Sequence, residues 1–150
     1  MKRNEPETRA ELIDPALKEA GWGEVSGSRI RREERITQGR LIGGGKRTDP
    51  EYADYVLYYK NQKLAVIEAK KEGLSHREGL GQAKHYAQRL QTPFSYATNG
   101  KTIYEVNMTT GQEGDVERYP TPDELWDRVF GETEAQSAYW RDRFAQVPFE

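Results

Sequence analysis

The chain has 150 residues, of which 35% are hydrophobic, 11% aromatic and 32% charged, and its formal net charge is −2. This length suits one domain with a real core, and the aromatic content argues against a disordered chain. Because the chain has no cysteine, disulfides, zinc-thiolate sites and cysteine nucleophiles are excluded. No stretch approaches the roughly 18 apolar residues of a membrane span, and the start lacks a secretion signal, so we expect a cytoplasmic protein without membrane contact.

The first predicted element is a helix from about residue 6 to residue 20, because apolar residues recur there at helical spacing. The Asp14–Pro15 pair is expected either to kink this helix or to restart it with the aspartate as cap. Gly21 ends the helix, and Trp22 is expected to fold back onto the core. Residues 25–42 look extended and carry many charges, which favours an exposed or edge strand pair.

Residues 29–47 carry seven basic residues and two acidic ones. Such a run permits a local phosphate contact, although it more often marks a solvated face. The glycines at 43–45 predict a mobile loop. The GxxxxGK[ST] pattern is absent there, so we exclude a nucleotide-phosphate loop.

Two segments, residues 52–60 and 64–71, are the clearest strands, and a polar turn around Asn61 and Gln62 joins them. Both carry apolar residues on both faces, which predicts central positions in a sheet. The pattern as a whole predicts one α/β domain, with a central mixed β-sheet flanked by helices. The later predicted elements are a helix at about 75–90, strands at 94–100 and 102–108, and helices at 121–130 and about 132–144.

A glutamate and a lysine interrupt the second strand, in the stretch LAVIEAKK. Because side chains alternate along a strand, Glu68 and Lys70 are expected to share a face with Leu64 and Val66. Asp54 interrupts the partner strand, and the hairpin brings the two strand ends together. Since unpaired charges in an apolar interior are costly, we expect these two carboxylates and the ammonium to be paired, metal-bound or at a wet site.

This combination of charges is sufficient for metal-dependent hydrolysis of a phosphodiester. Magnesium takes oxygen ligands and keeps several waters, so Asp54, Glu68 and a backbone carbonyl can form an open site. The ion lowers the pKa of a bound water, while Lys70 orients that water or stabilises the transition state. The same triplet also arises by chance in a chain this rich in charge, and the acids would then be structural.

The hairpin register decides whether Asp54 and Glu68 can act together. A regular two-residue turn at Asn61–Gln62 would set Asp54 opposite Ala69, and the two acids would then point to opposite faces of the sheet. The catalytic hypothesis therefore requires one extra residue, in the turn or as a bulge, that sets Asp54 opposite Glu68 or Lys70. The alternative is that Asp54 leaves the ladder at the start of its strand.

Asp54 followed by EAK at 68–70 resembles the PD-(D/E)xK nuclease motif, with Ala53 in place of the proline of that motif. Beyond the lysine, QAKHY at 82–86 resembles the QxxxY element of one branch of the superfamily. Over about residues 7–130 the chain resembles the N-terminal nuclease domain of type I restriction enzyme R subunits. The stretches that carry this likeness are ETRAELIDPALKEAGW, ADYVLYYKNQKLAVIEAKK, YATNGKTIYEVNMTTG and YPTPDELW.

The resemblance implies a restriction-endonuclease-like PD-(D/E)xK core over residues 1–130. It implies that Asp54, Glu68 and Lys70 are catalytic, and that the two carboxylates and the Ala69 carbonyl bind Mg²⁺. The implied substrate is double-stranded DNA, cut without sequence recognition by this domain. The implied partners are motor domains in the same full-length chain and the specificity and methylation subunits of a restriction complex.

Four residues outside the triplet are accessory candidates. The resemblance implies that Gln82 and Tyr86, one turn apart on a helix, face the site or the DNA, with ordinary helix surface as the alternative. Glu7 and Glu11 on the first helix could lend a third carboxylate to the metal. Surface ion pairing of these acids with Arg9 or Lys18 is the simpler interpretation.

Three functions stay open at this point. The first is the cleavage module of a restriction complex, the second a free-standing repair or junction-resolving nuclease, and the third a non-catalytic DNA-binding or docking module. No Walker motif is present, so we expect no ATP site in this segment, and residues 131–150 are expected to be a helix or linker toward a missing motor domain. The weak net charge predicts weak, salt-sensitive DNA binding by this segment alone.

Overall fold

The computed structural model describes residues 3–37, 41–42, 46–47, 51–75 and 79–131. The predicted glycine loop and the predicted helix at about 132–144 lie outside these residues. No helix in the described part of the chain is long and apolar enough to cross a membrane.

The N-terminal helix is continuous and has three parts: α1 (Glu5–Thr8), one π-helical turn (Arg9–Ile13) and α2 (Asp14–Glu19). At the π turn the Asp14 N–H donates to the carbonyl of Arg9, five residues back. This widened turn accommodates the ring of Pro15 without ending the helix. The helix therefore continues through the Asp14–Pro15 pair, and the Asp14 side chain is not a cap but accepts a hydrogen bond from the Tyr55 hydroxyl at 2.7 Å.

The end of this helix follows the prediction. Gly21 has a φ of +106°, a conformation that favours glycine and turns the chain away from the helix axis. Trp22 is buried, and its Nε1–H donates to the Pro120 carbonyl at 2.9 Å. The indole thus joins the N-terminal helix to the segment that precedes the last described helix.

The strands are β1 (Ser28–Thr37), β2 (Leu41–Ile42), β3 (Lys46–Arg47), β4 (Glu51–Tyr59), β5 (Gln62–Ala69), β6 (Phe94–Thr98), β7 (Ile103–Asn107) and β8 (Glu113–Val116). Six of them form one mixed sheet in the order β1-β4-β5-β6-β7-β8, while β2 and β3 form a separate antiparallel pair. Only β5 and β6 are parallel within the described sheet, and the helix α3 (Leu80–Leu90) connects them. The predicted central positions of β4 and β5 and the edge position of β1 are confirmed.

One predicted boundary is wrong, and one strand was not predicted. Ser75 is not helical, and the regular part of α3 begins at Leu80. The strand β8 was not predicted, because its residues EGDV have low intrinsic preference for strands. It forms by pairing with the edge of β7.

Both faces of the sheet are packed. On one face the N-terminal helix and a last helix, α4 (residues 122–131), cover a large apolar cluster that includes Leu17, Tyr96 and Leu125. On the other face α3 covers a small cluster built around Val66 and Tyr86. The predicted α/β class, with a mixed sheet flanked by helices, is therefore confirmed.

Candidate active site

The turn of the β4–β5 hairpin is Lys60–Asn61, one residue earlier than predicted. Both residues have left-handed backbones, with φ of 50° and 64°, as in the type I′ turns that match the twist of a hairpin. Tyr59 pairs with Gln62 across this turn. Continued without interruption, this register would turn Asp54 to the face away from Glu68.

A β-bulge at Leu64 corrects the register. Beyond it Tyr55 pairs with Ile67, so the strands are displaced by one residue and Asp54 comes level with Glu68. Leu64 packs in the large cluster, on the opposite face from Glu68, which overturns the prediction that these two side chains share a face. The extra residue that the catalytic hypothesis requires is therefore present as a bulge.

Beyond the last described pair of β4 and β5, side chains take over the hydrogen bonds between the strands. The Asp54 N–H donates to Glu68 Oε1 at 3.1 Å. The Ala69 N–H donates to Asp54 Oδ2 at 2.8 Å. Each carboxylate thus holds the backbone of the opposite strand, and the two acids are fixed side by side at one end of the sheet.

Glu68 is 3% exposed, and its environment raises the pKa of the carboxyl group to about 9. Burial is the largest cause, the negative charge of Asp54 adds to it, and the positive charge of Lys70 opposes it. The carboxyl group therefore holds a proton at neutral pH when no cation is bound. A bound cation would remove the repulsion and release that proton.

Lys70 follows β5 directly, and its N–H donates to the Thr98 carbonyl at 2.8 Å. A Cβ atom built on Gly79, just before α3, would lie 3.3 Å from Lys70 Cε and 3.5 Å from Glu68 Cβ. Lys70 and Glu68 thus lie together under the start of α3, as the strand alternation predicted. Glycine at position 79 permits this close approach.

Of the two accessory candidates on α3, Gln82 faces solvent and Tyr86 lies in the core. Gln82 is exposed, and its Nε2 donates to the Tyr86 hydroxyl. Tyr86 is buried in the small cluster. Burial is the main cause of the raised pKa of Tyr86, and the charges of Glu68 and Asp54 contribute to it, so the tyrosine lies within electrostatic range of the two acids.

The acids of the first helix have other partners. Glu7 forms a capping box with Asn4, and Glu11 is exposed with its Oε1 3.4 Å from Arg3 Nε. Surface ion pairing is thus what the structure shows for Glu11, although its partner differs from those predicted. Lys18 pairs instead with Glu24, at 3.4 Å.

Arg9 is the residue of the first helix that reaches the carboxylate pair. Its Nη1 lies 3.5 Å from Asp54 Oδ1 and 3.7 Å from Glu33 Oε1. The sequence predicts only a surface ion pair for Arg9, with a neighbouring acid of the first helix. No local pattern could have found this contact, because it depends on how the π turn orients the helix against the sheet.

The side chains at this site suit a magnesium ion in their chemistry. The described residues contain no cluster of three or more His, Cys, Asp or Glu side chains that could hold a metal. Magnesium commonly binds through one or two carboxylates and retains waters, so Asp54, Glu68 and the Ala69 carbonyl are a sufficient set. Arg9 Nη1 lies 3.5 Å from Asp54 Oδ1, and the raised pKa of Glu68 favours the protonated form of its carboxyl group.

Comparison with known proteins places the hairpin and α3 within a matched region. Residues 23–121 match the family described as type I restriction enzyme R protein N terminus. The endonuclease subunit of the type I restriction enzyme EcoAI from Escherichia coli is 35% identical in an alignment of 146 positions, and the match covers 86% of this chain and 18% of that protein. A fragment structure assigned to an HsdR subunit of a type I restriction enzyme from Vibrio vulnificus YJ016 has a TM-score of 0.79 and 40% identity.

That structural match covers 87% of this chain and 26% of the Vibrio chain. This chain therefore spans about a fifth to a quarter of the length of these two relatives. The family match alone covers well over half of the chain. The chain belongs to the family formed by the N-terminal region of type I restriction enzyme R subunits.

Proposed function

We propose that this chain is the Mg²⁺-dependent DNA-cleavage domain of a type I restriction enzyme R subunit, built on a PD-(D/E)xK core. The observation that carries the proposal is the bulged hairpin, which sets Asp54 level with Glu68 and next to Lys70. Glu68 is buried and Asp54 partly buried, so burial first and repulsion between the two carboxylates second raise the pKa of Glu68. A divalent cation bound by the two carboxylates would offset their repulsion, which supports a metal site at this position.

In the proposed reaction the Asp54 and Glu68 carboxylates and the Ala69 carbonyl would hold Mg²⁺, which would lower the pKa of a bound water and offset charge on the phosphoryl oxygens. Glu68 would hold the ion as the carboxylate, without its proton. Lys70 orients the attacking water or stabilises the charge that develops on the phosphate. Tyr86 packs against this end of the sheet from α3.

We further propose that the substrate is duplex DNA, read for sequence by other subunits. Motor domains in the same full-length chain and specificity and methylation subunits would complete the complex. The much greater length of the two relatives supports this assignment. The net charge of −2 supports it too, because a domain without a basic surplus depends on partners to hold DNA.

One observation favours a non-catalytic alternative. Both oxygens of Asp54 are engaged, one near Arg9 and the other by the Ala69 N–H. The two acids could therefore serve as a structural clasp at the end of the hairpin. The domain would then bind DNA or partner subunits without cutting.

The test is cleavage of supercoiled plasmid by the R subunit assembled with its partners, in the presence of Mg²⁺. We expect Asp54→Asn, Glu68→Gln and Lys70→Met each to lower the cleavage rate on the order of 100-fold or more. Asp127→Asn, at an exposed acid on α4, is the matched control and should cleave at the wild-type rate.

Near-normal cleavage by any of the three site variants would remove that residue from the proposed site. A wild-type assembly that binds DNA without cutting it would support the docking module. The 150-residue chain alone is expected to cleave little or not at all. Robust Mg²⁺-dependent cleavage by that chain at physiological salt would instead favour a free-standing nuclease.

A further inference from the structure

Arg9 is held near the carboxylate pair by charge, without the short contacts of a strong hydrogen bond. Its distances of 3.5 Å to Asp54 Oδ1 and 3.7 Å to Glu33 Oε1 exceed the about 2.7–2.9 Å of a charge-assisted hydrogen bond. The side chain is 23% exposed. Part of the side chain is therefore in contact with solvent.

The backbone that carries Arg9 is fixed to the site. Thr8 is fully buried, and its Oγ1 accepts the N–H of Glu72, two residues past Lys70, at 3.0 Å. The helix also lies directly against Gly100, where a Cβ atom would be 2.7 Å from Thr8 Cγ2. The base of the Arg9 side chain is thus anchored, while its long flexible end can move.

Another arginine near this surface has a different kind of partner. Arg3 donates from its backbone and its side chain to Glu72, at 3.0 and 3.3 Å. That acid belongs to a loop and has no role in the proposed chemistry. Arg9 instead pairs with Asp54, an acid that the proposed function needs for the cation.

We propose that Arg9 is a phosphate-binding residue of the cleavage site, released from Asp54 when a divalent cation takes that carboxylate. The proposal rests on the proposed function, because it requires a cation at Asp54. The doubly charged ion competes with the guanidinium for the same oxygen and displaces it. The freed guanidinium remains anchored beside the site and pairs with the non-bridging oxygens of a DNA phosphate, which match its planar fork.

Metal binding and DNA binding are measured separately in the test. The 150-residue chain is titrated with Ca²⁺ by calorimetry, and then, in Ca²⁺ at low ionic strength, with a short labelled duplex followed by fluorescence anisotropy. Arg9→Gln is compared with Arg32→Gln, because Arg32 Nη2 makes a similarly loose contact of 3.5 Å with Asp14, an acid outside the site. Arg9→Lys keeps the charge but loses the fork.

We expect Arg9→Gln to bind Ca²⁺ several-fold tighter than wild type, because the competing cation is gone. Its DNA affinity in Ca²⁺ should fall about 10-fold, and the salt dependence should lose the equivalent of about one phosphate contact. Arg9→Lys should recover part of the DNA affinity. Arg32→Gln should leave both affinities within about two-fold of wild type.

Each other result has a defined meaning. Weaker Ca²⁺ binding by Arg9→Gln would show that Arg9 orients Asp54 for the cation. Unchanged DNA affinity and salt dependence in Arg9→Gln would show that Arg9 does not bind phosphate. Either result overturns the proposal. A wild-type chain that fails to bind Ca²⁺, or binds it equally well as Asp54→Asn, would instead refute the metal site of the proposed function.

Discussion

In metal-free buffer, the buried Glu68 carboxyl group should make the folded chain less stable as the pH rises, and Glu68→Gln should remove that effect. Burial and the charge of Asp54 raise the pKa of Glu68 from 4.5 to about 9 in the folded chain. Between these two values the folded chain keeps a proton that the unfolded chain has lost. Stability is therefore linked to pH through this one group.

The sign and size of the effect follow from that proton. Where the folded state binds one proton more than the unfolded state, the free energy of unfolding falls by about 1.4 kcal/mol per pH unit. The contribution of neutral Glu68 is complete below the unfolded pKa and is lost as the pH rises toward the folded pKa. From about pH 6 to about pH 8 the loss amounts to about 3 kcal/mol, a large part of the stability of an ordinary domain.

The assay is urea unfolding in EDTA at these two pH values, for wild type and Glu68→Gln. Glutamine keeps an oxygen that accepts the Asp54 N–H but cannot ionise, so its advantage over wild type should grow by about 3 kcal/mol toward the higher pH. Glu105→Gln is the control. Burial opposes ionisation of Glu105, but hydrogen bonds from Arg128 and Tyr96 outweigh burial and lower its pKa. Glu105 is therefore ionised above pH 6 in both the folded and the unfolded chain.

Glu105 stabilises the fold above its unfolded pKa and loses that effect only in acid, so Glu105→Gln should cost the same at both pH values. Saturating Mg²⁺ should flatten the wild-type pH dependence, because cation binding releases the Glu68 proton. Parallel pH dependence in wild type and Glu68→Gln would show that the folded chain already holds Glu68 ionised beside Lys70. A loss of several kcal/mol in Glu68→Gln at both pH values would identify Glu68 as structural.

Elements with local signals could be predicted from the sequence. The start of α4 has Thr121 followed by Pro122 and Glu124, which is a sequence signal for a helix start, and a capping box forms there with hydrogen bonds of 3.1 and 2.9 Å between Thr121 and Glu124. The strands β4 and β5 follow from long apolar runs, because burial on both faces leaves a continuous signal. In each case the residues that specify the element lie within it.

The hairpin register could not be predicted, because it depends on both the position of the turn and the position of the bulge. The sequence around Lys60–Asn61 lacks the Asn-Gly or Asp-Gly pair that marks such a turn most clearly. Leu64 leaves the regular alternation to enter the large cluster, and that packing gain depends on residues distant in the sequence. The requirement for one extra residue was predictable from Asp54 and Glu68, whereas its position was not.

The same limit applies to the site. Strand alternation predicted that Glu68 and Lys70 would lie together, since the period of a strand is local. The contact between Arg9 and Asp54 depends on the rotation of a helix against the sheet, and no residue near Arg9 encodes it. Glu68, in turn, interrupts an apolar strand at a cost in stability, and such local conflicts are expected at functional sites.

Two glycine substitutions test how closely the helices approach the site. Gly79→Ala would put a methyl group 3.3 Å from Lys70 Cε, so we expect the lysine to shift. Plasmid cleavage by the assembled R subunit should then fall about 10-fold. The free energy of unfolding should stay within about 0.5 kcal/mol of wild type. Gly81→Ala, with no atom within 4 Å, is its control, and equal cleavage by both variants would show that α3 does not constrain the lysine. In Gly100→Ala the added methyl group would lie 2.7 Å from side-chain atoms of Thr8 and Leu12, and this overlap should lower the free energy of unfolding by about 1–3 kcal/mol. The φ of +90° at this position should lower it by a further about 1–2 kcal/mol, because a residue with a Cβ atom is strained there. Gly111→Ala, at a φ of +82° in open space, carries the backbone cost alone, so urea unfolding of the two variants isolates the overlap. Equal destabilisation would mean that the N-terminal helix can move away from Gly100, and the anchored position of Arg9 beside Asp54 would then lose its support.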